Sequence, residues 1–412
     1  MIQKPELLAP AGDLEKLKIA VLYGADAVYI GGETYGLRAK AKNFDIETMK
    51  EGIAFAHAHG VKVYVTANIY AHNADFEGMA EYFKQVESIG ADALLISDLG
   101  VFSVAKEAVP NLEIHVSTQA NNTNYKSAQM WYHLGAKRIV VARELSLKEI
   151  KQIRQNIPED MEIEAFVHGA MCISYSGRCL LSNYLSGRDA NKGACAHPCR
   201  WKYHLVEETR PGEYMPIEEN ERGTYIYNSK DLCMLEHIPD LINAGVVSLK
   251  IEGRMKTPFY VGTVIKAYRM AIDDYIESPQ KYQNNIALYM KEVSKASHRD
   301  YTTAFYYGKP DGNQQVYTNN SYIREYDFIG MVKEDSDENN CAVVEQRNKF
   351  SVGETIEVMP AKGESFAMRV KNMWNEKGEQ ILSAPHPQQI LKIQFSKPVK
   401  QFDMMRKAVS KS

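Results

Sequence analysis

Five of the six cysteines, Cys172, Cys179, Cys195, Cys199 and Cys233, fall within one stretch of the chain, and only Cys341 lies apart. Thiolates ligate zinc and iron-sulfur centres, and clustered thiols in a reducing compartment serve metal or redox chemistry more often than a disulfide framework. The intervals Cys172-x6-Cys179-x15-Cys195-x3-Cys199-x33-Cys233 are too irregular for the paired knuckles of a zinc ribbon and unlike ferredoxin runs. Ligands need converge only in space, so four of these thiols can hold one cluster. Gly177, Gly187 and Gly193 supply tight turns and close backbone approach between them. An iron-sulfur cluster, a zinc ion, or simple burial of apolar thiols all remain open from spacing alone.

Other chemistry is narrowed by what the chain lacks. A metalloprotease H-E-x-x-H motif is absent, whereas His168 before Cys172 and His197 between Cys195 and Cys199 leave a thiol-imidazole dyad open. The run GGETYG does not have the G-x-G-x-x-G spacing of a dinucleotide loop, and the radical-type C-x3-C-x2-C triplet is missing. Neither flavin nor nicotinamide is implied.

The elements that must position these groups recur with a pattern. Glycines at 24, 60, 90, 135 and 245 each close a helical stretch and lead into an apolar run: AVYIGG, VYVTAN, ALLISD, RIVVAR and SLKIEGR. Glycine suits the left-handed residue that ends a helix. With ELLAPAG, EIHVSTQAN and EIEAFVHG this makes eight strand-like runs, most followed by a helix, which predicts either a closed (β/α)8 barrel or an open doubly wound sheet. Strands covered by helices on both faces read as continuous apolar runs. Here they alternate: Val63, Val65 and Ala67 oppose Lys62, Tyr64, Thr66 and Asn68, while Ile163, Ala165 and Val167 oppose Glu164, Phe166 and His168. A polar face turned to its own axis favours an irregular TIM-like barrel of class α/β. Glu164 and Lys250, deep on that face, are expected to form an internal ion pair.

The 412 residues, 45% hydrophobic and 25% charged with net charge −3, describe an ordinary globular chain with no global field for nucleic acid or lipid. No apolar run is long enough for a membrane helix and the N-terminus lacks a leader pattern, so the cytoplasm is the expected location. The barrel is expected over 1–280 with a cysteine-rich insertion at 170–245, emerging at the C-terminal mouth where such folds place chemistry. A helical connector follows at 281–325, then short strands of a small antiparallel β-barrel domain at 326–400, and a basic tail at 401–412.

The residues Glu164 to Cys172 (EAFVHGAMC) and Ser176 to Ser182 (SGRCLLS) resemble the signature of the collagenase-like peptidase U-thirty-two family. The opening PELLAPAGDLEKLKIAVLYGADAVYIGG and Ser297 to Thr303 (SHRDYTT) extend that resemblance over nearly the whole chain. Length, single barrel and C-terminal β domain are similar to the branch that hydroxylates tRNA. That resemblance implies prephenate-dependent 5-hydroxylation of wobble uridine, with tRNA and a small dicarboxylate as partners and room for a homologous partner subunit. It also implies a 4Fe-4S cluster on Cys172, Cys179, Cys195 and Cys233, with Cys199 close enough to Cys195 to exchange with it. A site for prephenate needs forks for carboxylates, and Arg38, Arg143 and Arg254 follow or end strands at the expected mouth. Each could instead be a structural ion pair. Asn68, Asp98, Gln119, His168 and Glu252 lie at or near other strand ends; Asn68 and Gln119 suit a base edge, and Asp98, His168 and Glu252 suit proton transfer. The 25 tyrosines and the basic patches Arg38-Ala-Lys40-Ala-Lys42 and Lys392 to Ser412 suit RNA binding. Rival readings are a collagenase-like peptidase and a structural-zinc RNA-binding protein.

Overall fold

The computed structural model describes residues 3–36, 43–171, 181–188, 195–196, 198, 204–205, 215–216, 230–308 and 322–409. Its first half is a closed parallel barrel. Strands β1 (Glu6–Pro10), β2 (Ala27–Gly31), β3 (Lys62–Ala67), β4 (Ala93–Ile96), β5 (Glu113–Val116), β6 (Arg138–Val140) and β7 (Glu162–Ala170) pair in sequence. Between them run α1 (Leu14–Leu22), α2 (Ile46–Ala58), α3 (Met79–Ser88), α4 (Leu99–Ala108), α5 (Tyr125–His133) and α6 (Leu147–Gln155). The insertion holds α7 (Leu181–Ser186), the short pair β8 (His204–Leu205) and β9 (Met215–Pro216), β10 (Asp231–Cys233) and α8 (Ile238–Asn243). β11 (Ser248–Ile251) then closes the cylinder, parallel to both β1 and β7.

Local chemistry explains the repeats. Asp13, Asp45, Asn124 and Ser146 accept backbone N–H groups that would otherwise be orphaned at the starts of α1, α2, α5 and α6. Gly24 and Gly245 take positive φ (110° and 89°) at helix ends, as the sequence pattern requires. Alternation also holds through most of the barrel. Val63, Val65 and Ala67 join the core between sheet and helices. On the axis, Leu8, Ala27, Tyr29, Tyr64, Ala93 and Leu95 form a separate cluster.

Below that plug lies a buried ionic layer. Arg138 contacts Glu6 at 2.6 Å, Glu162 at 2.7 Å and Glu164 at 3.1 Å, and Lys250 Nζ donates to Glu164 Oε1 at 2.7 Å, the expected ion pair. Burial alone pushes the Glu164 carboxyl up, but the Lys250 and Arg138 cations outweigh it and hold Glu164 below the usual carboxylate range. His115, fully buried against the Tyr64 ring at 4.7 Å, is held below its ordinary value by desolvation, only partly offset by Glu113. A histidine whose folded value lies below its unfolded one stabilises the fold fully above about pH 6.5 and loses that contribution as pH falls toward the folded value. Urea midpoints are therefore expected to fall from pH 7.5 to pH 5, and His115→Phe to flatten that fall; an equal slope in the variant removes His115 as its source.

Beyond the barrel, the described part of the expected helical connector is packed in place. The long helix α9 (Pro258–Glu277) is followed at once by α10 (Pro279–Val293), and β12 (Tyr301–Thr302) returns to pair with β10 in the barrel sheet. The polar residues of that stretch leave Tyr282, Tyr289 and Val293 of α10 buried. Of the expected basic tail, the described residues 401–409 belong to the domain. β21 (Met404–Ala408) lies inside the antiparallel sheet, paired with β13 (Tyr326–Val332) and β16 (Thr355–Met359). Its Arg406 is wholly buried on acids of both domains, which is why a basic run could be drawn into a core.

The C-terminal sheet has seven strands in the order β17-β16-β21-β13-β14-β20-β18, with β14 (Cys341–Gln346), β17 (Phe366–Arg369), β18 (Met373–Asn375) and β20 (Ile390–Gln394). β15 (Phe350–Ser351) and β19 (Ser383–Ala384) pair separately. It is a half-barrel with its own core. Among the described residues no helix is long and apolar enough to cross a membrane.

Candidate active site

A cavity opens at the C-terminal ends of the barrel strands. Its base is formed by Tyr29, Leu95, Phe166 and Lys250, and its walls by Thr66, Asn68, Ser117, Thr118, Gln119, Arg143, Glu252 and Arg254. Five residues singled out in the sequence thus meet in one place: Asn68, Gln119, Arg143, Glu252 and Arg254. They come from the ends of different strands, as parallel barrels arrange their chemistry.

The two arginines are fixed by different means. Arg143 lies flat on the Phe166 ring, 3.9 Å from Cζ to the centroid. Its Nη1 donates to the Ala170 carbonyl at 3.0 Å and its Nη2 to Glu252 at 3.3 Å, while its buried Nε has no hydrogen-bond partner among the described residues. Arg254 reaches back across the mouth, where Nη1 donates to Thr66 Oγ1 at 3.0 Å and Nη2 to Asn43 Oδ1 at 3.3 Å. Its path crosses Gly31, where a Cβ would sit 2.2 Å from Nη1. Gly31→Ala is therefore expected to displace the guanidinium rather than the barrel. Losing those two hydrogen bonds costs about 1–3 kcal/mol of stability, which urea unfolding checks; an unchanged midpoint would mean that the arginine finds equal partners elsewhere.

The amide wall is equally ordered. Tyr70 Oη donates to Gln119 Oε1 at 2.8 Å, and Asn68 Nδ2 donates to Ser117 Oγ at 3.3 Å. Sequence reasoning passed over Tyr70, Thr66 and Ser117, although Thr66 and Ser117 lie on the polar face that alternation defines.

Two expected catalytic residues do not reach the cavity. Asp98 caps α4, its Oδ1 accepting from the backbone N–H of Gly100 at 2.8 Å and Val101 at 3.0 Å. A carboxylate ahead of a helix is drawn to those orphan donors. His168 turns away from the axis because the register shifts at the β7–β11 pair: Lys250 pairs with Phe166, but Ile251 pairs with His168. The extra residue, Val167, puts His168 on the outer face with Ile251. There it sits among Tyr260, Tyr268 and Tyr301, and burial, with His298 and Lys256 nearby, pushes its imidazole down to about 3. It is a neutral wall histidine. Arg38 lies outside the described residues, as does His197.

Of the proposed cluster ligands, Cys172 and Cys179, with the spare Cys199, lie outside the described residues. Cys233 ends β10, opposite His168, with its thiol buried 4.0 Å from Tyr268 Oη. Burial pushes that thiol up to about 12. Tyr268 Oη donates to the Val167 carbonyl at 2.8 Å and accepts the Met234 N–H at 3.1 Å, so the same hydroxyl ties β10 to β7. Cys195 is half-buried, and Arg188 donates to its carbonyl at 3.2 Å. Both thiols are unbridged and carry donor chemistry that suits a sulfur-ligated centre. Among the described residues no group of three or more His, Cys, Asp or Glu is arranged to hold a metal ion.

A TIM-like barrel with a polar, arginine-bearing mouth defines a barrel enzyme's site. The profile of peptidase family U32 matches residues 12–316, and that of the peptidase family U32 C-terminal domain matches residues 324–406. The chain belongs to peptidase family U32. It is 42% identical over 405 residues to tRNA hydroxylation protein P1 of Bacillus subtilis, covering 98% of this chain and 95% of that one. It is 38% identical over 422 residues to tRNA hydroxylation protein P of Escherichia coli, covering 93% and 92%. A 23S rRNA 5-hydroxycytidine synthase of Escherichia coli is 38% identical over 272 residues, 66% of this chain and 40% of that one.

Proposed function

We propose that this protein is an RNA-hydroxylating enzyme, and that its reaction is the prephenate-dependent 5-hydroxylation of the wobble uridine of tRNA. The observation that carries the reading is end-to-end similarity to proteins named for tRNA hydroxylation, and the site chemistry agrees with it. Arg143 and Arg254 offer two guanidinium forks to a dicarboxylate, and Tyr29 and Phe166 offer a flat apolar base to its ring. Asn68 and Gln119 carry the amide groups that read a base edge, and Glu252 holds Arg143 in place. Cys172, Cys179, Cys195 and Cys233 would hold a 4Fe-4S cluster, with Cys199 able to replace Cys195. Such a cluster supplies one-electron chemistry when bound.

Peptidase chemistry, suggested by the family's name, is less well served. It needs a thiol and an imidazole in mutual reach, and Cys233 and the cross-strand His168 both meet the Tyr268 hydroxyl, at 4.0 and 3.5 Å. The deciding measurement is nucleoside mass spectrometry of total tRNA from a strain lacking the gene. Loss of 5-hydroxyuridine-derived nucleosides, restored by the intact gene but not by Cys233→Ala, is expected; unchanged nucleosides with gelatin cleavage by the purified chain would favour the peptidase.

A further inference from the structure

The base of the cavity holds the amine of Lys250, which beyond its ion pair with Glu164 has no part in the chemistry proposed so far. Lys250 is 4% exposed and lies at the cavity's inner end with its Nζ 4.6 Å from the Tyr29 ring and 5.5 Å from the Phe166 ring. Arg143 lies over that same Phe166 ring at 3.9 Å, so amine and guanidinium flank one aromatic platform. Glu164 Oε1 accepts from Nζ at 2.7 Å, while Glu164 Oε2 is already held by Arg138 at 3.1 Å and Ser248 Oγ at 3.1 Å. The carboxylate therefore points one oxygen at the lysine and cannot turn away from it.

We infer that Lys250 is a covalent residue: its ε-amine forms an iminium with the oxo group of a 2-oxo acid whose carboxylates are held by Arg143 and Arg254. The inference rests on the dicarboxylate reading of the cavity and adds to it a required oxo group and a bond. A lysine in a dry pocket is a usual Schiff-base nucleophile, and here a fixed carboxylate is in contact with it. Lys250 and Arg138 hold Glu164 low, yet it is the base in contact with Nζ: the ammonium passes it a proton transiently, the freed amine adds to the carbonyl carbon as the C–N bond forms and the C=O π bond breaks, and a proton moves from that nitrogen to the oxygen to give a hydroxyl. The resulting hydroxyl leaves as water, protonated by Glu164, so that ammonium and ketone become iminium and water. No redox partner is needed. The positive charge stays between the two rings and beside Glu164, so the ion pair survives the reaction.

The test is reductive trapping on the full chain with 2-oxoglutarate and borohydride, read by intact mass and peptide mapping, with succinate as the dicarboxylate lacking an oxo group. One adduct, on the peptide bearing Lys250 and suppressed by excess succinate, is expected, and Lys250→Arg should abolish it. An adduct spread over other lysines, or one that persists in Lys250→Arg, overturns the inference. Should that variant not fold, the map of the unaltered chain still decides. If 2-oxoglutarate raises the melting temperature but leaves no adduct, the covalent role fails and the dicarboxylate site stands. If it does neither, both fail.

Discussion

Replacing Arg143 by alanine is expected to lower kcat/KM for the dicarboxylate co-substrate we propose by roughly 30- to 1,000-fold, the range set by removing one partner of a buried, charge-assisted contact. The geometry argues for the upper part. Arg143 is stacked on Phe166, anchored to the Ala170 carbonyl and paired with Glu252, so its fork is preorganised before ligand arrives. Alanine also removes the Arg143 contact from Glu252, an acid on the wall of the same cavity. Arg143→Lys keeps the charge but neither the planar stack nor the double donor, and should recover only a minor part. Steady-state kinetics with tRNA in excess, paired with calorimetric titration of the dicarboxylate, checks both variants. Wild-type affinity in Arg143→Ala would remove the arginine from the binding site.

The second large effect lies far from the cavity. Arg406→Met should destabilise the chain by about 3–5 kcal/mol, because it strands buried charge. Arg406 donates to Glu292 of α10 at 2.9 Å and to Glu357 of β16 at 2.8 Å, and Lys295 binds the same two carboxylates at 3.0 and 2.8 Å. Tyr326 lies under both cations, at 5.7 Å from Arg406 and 5.3 Å from Lys295. Two acids would be left to share one lysine across the join between barrel and half-barrel. Tyr23 of the segment after α1 reinforces that join by donating to the Met359 carbonyl at 2.8 Å. Urea unfolding checks the loss, and adding Glu292→Gln to Arg406→Met should restore part of it. An unaltered midpoint in the single variant would mean that the quartet has no net effect on stability.

The same arginine shows why sequence alone misjudged the C-terminus. Six basic residues against one acid look solvated when counted along the chain. The acids that draw Arg406 inward belong to α10 and β16, more than a hundred and about fifty positions earlier, and no local window contains them. Asp98 is the opposite case: the order Asp-Leu-Gly-Val before an apolar helix is a local capping signal, legible in the sequence but outweighed there by its place near a strand end.

What the amino-acid order determined by itself was whatever repeats with a local period. Eight alternating strands, glycine-ended helices and a polar inner face specified the barrel, and that face carried Asn68, Gln119 and Glu252 to its mouth because side chains alternate at every step of a strand. Tertiary structure decided the rest. A single-residue register shift between β7 and β11 carried His168 out of the cavity, and closure of the cylinder brought Lys250, held by Glu164, and Arg143 around one aromatic ring. Pairing between strands more than eighty residues apart sets which face each side chain takes, and that pairing energy is not written in either strand alone.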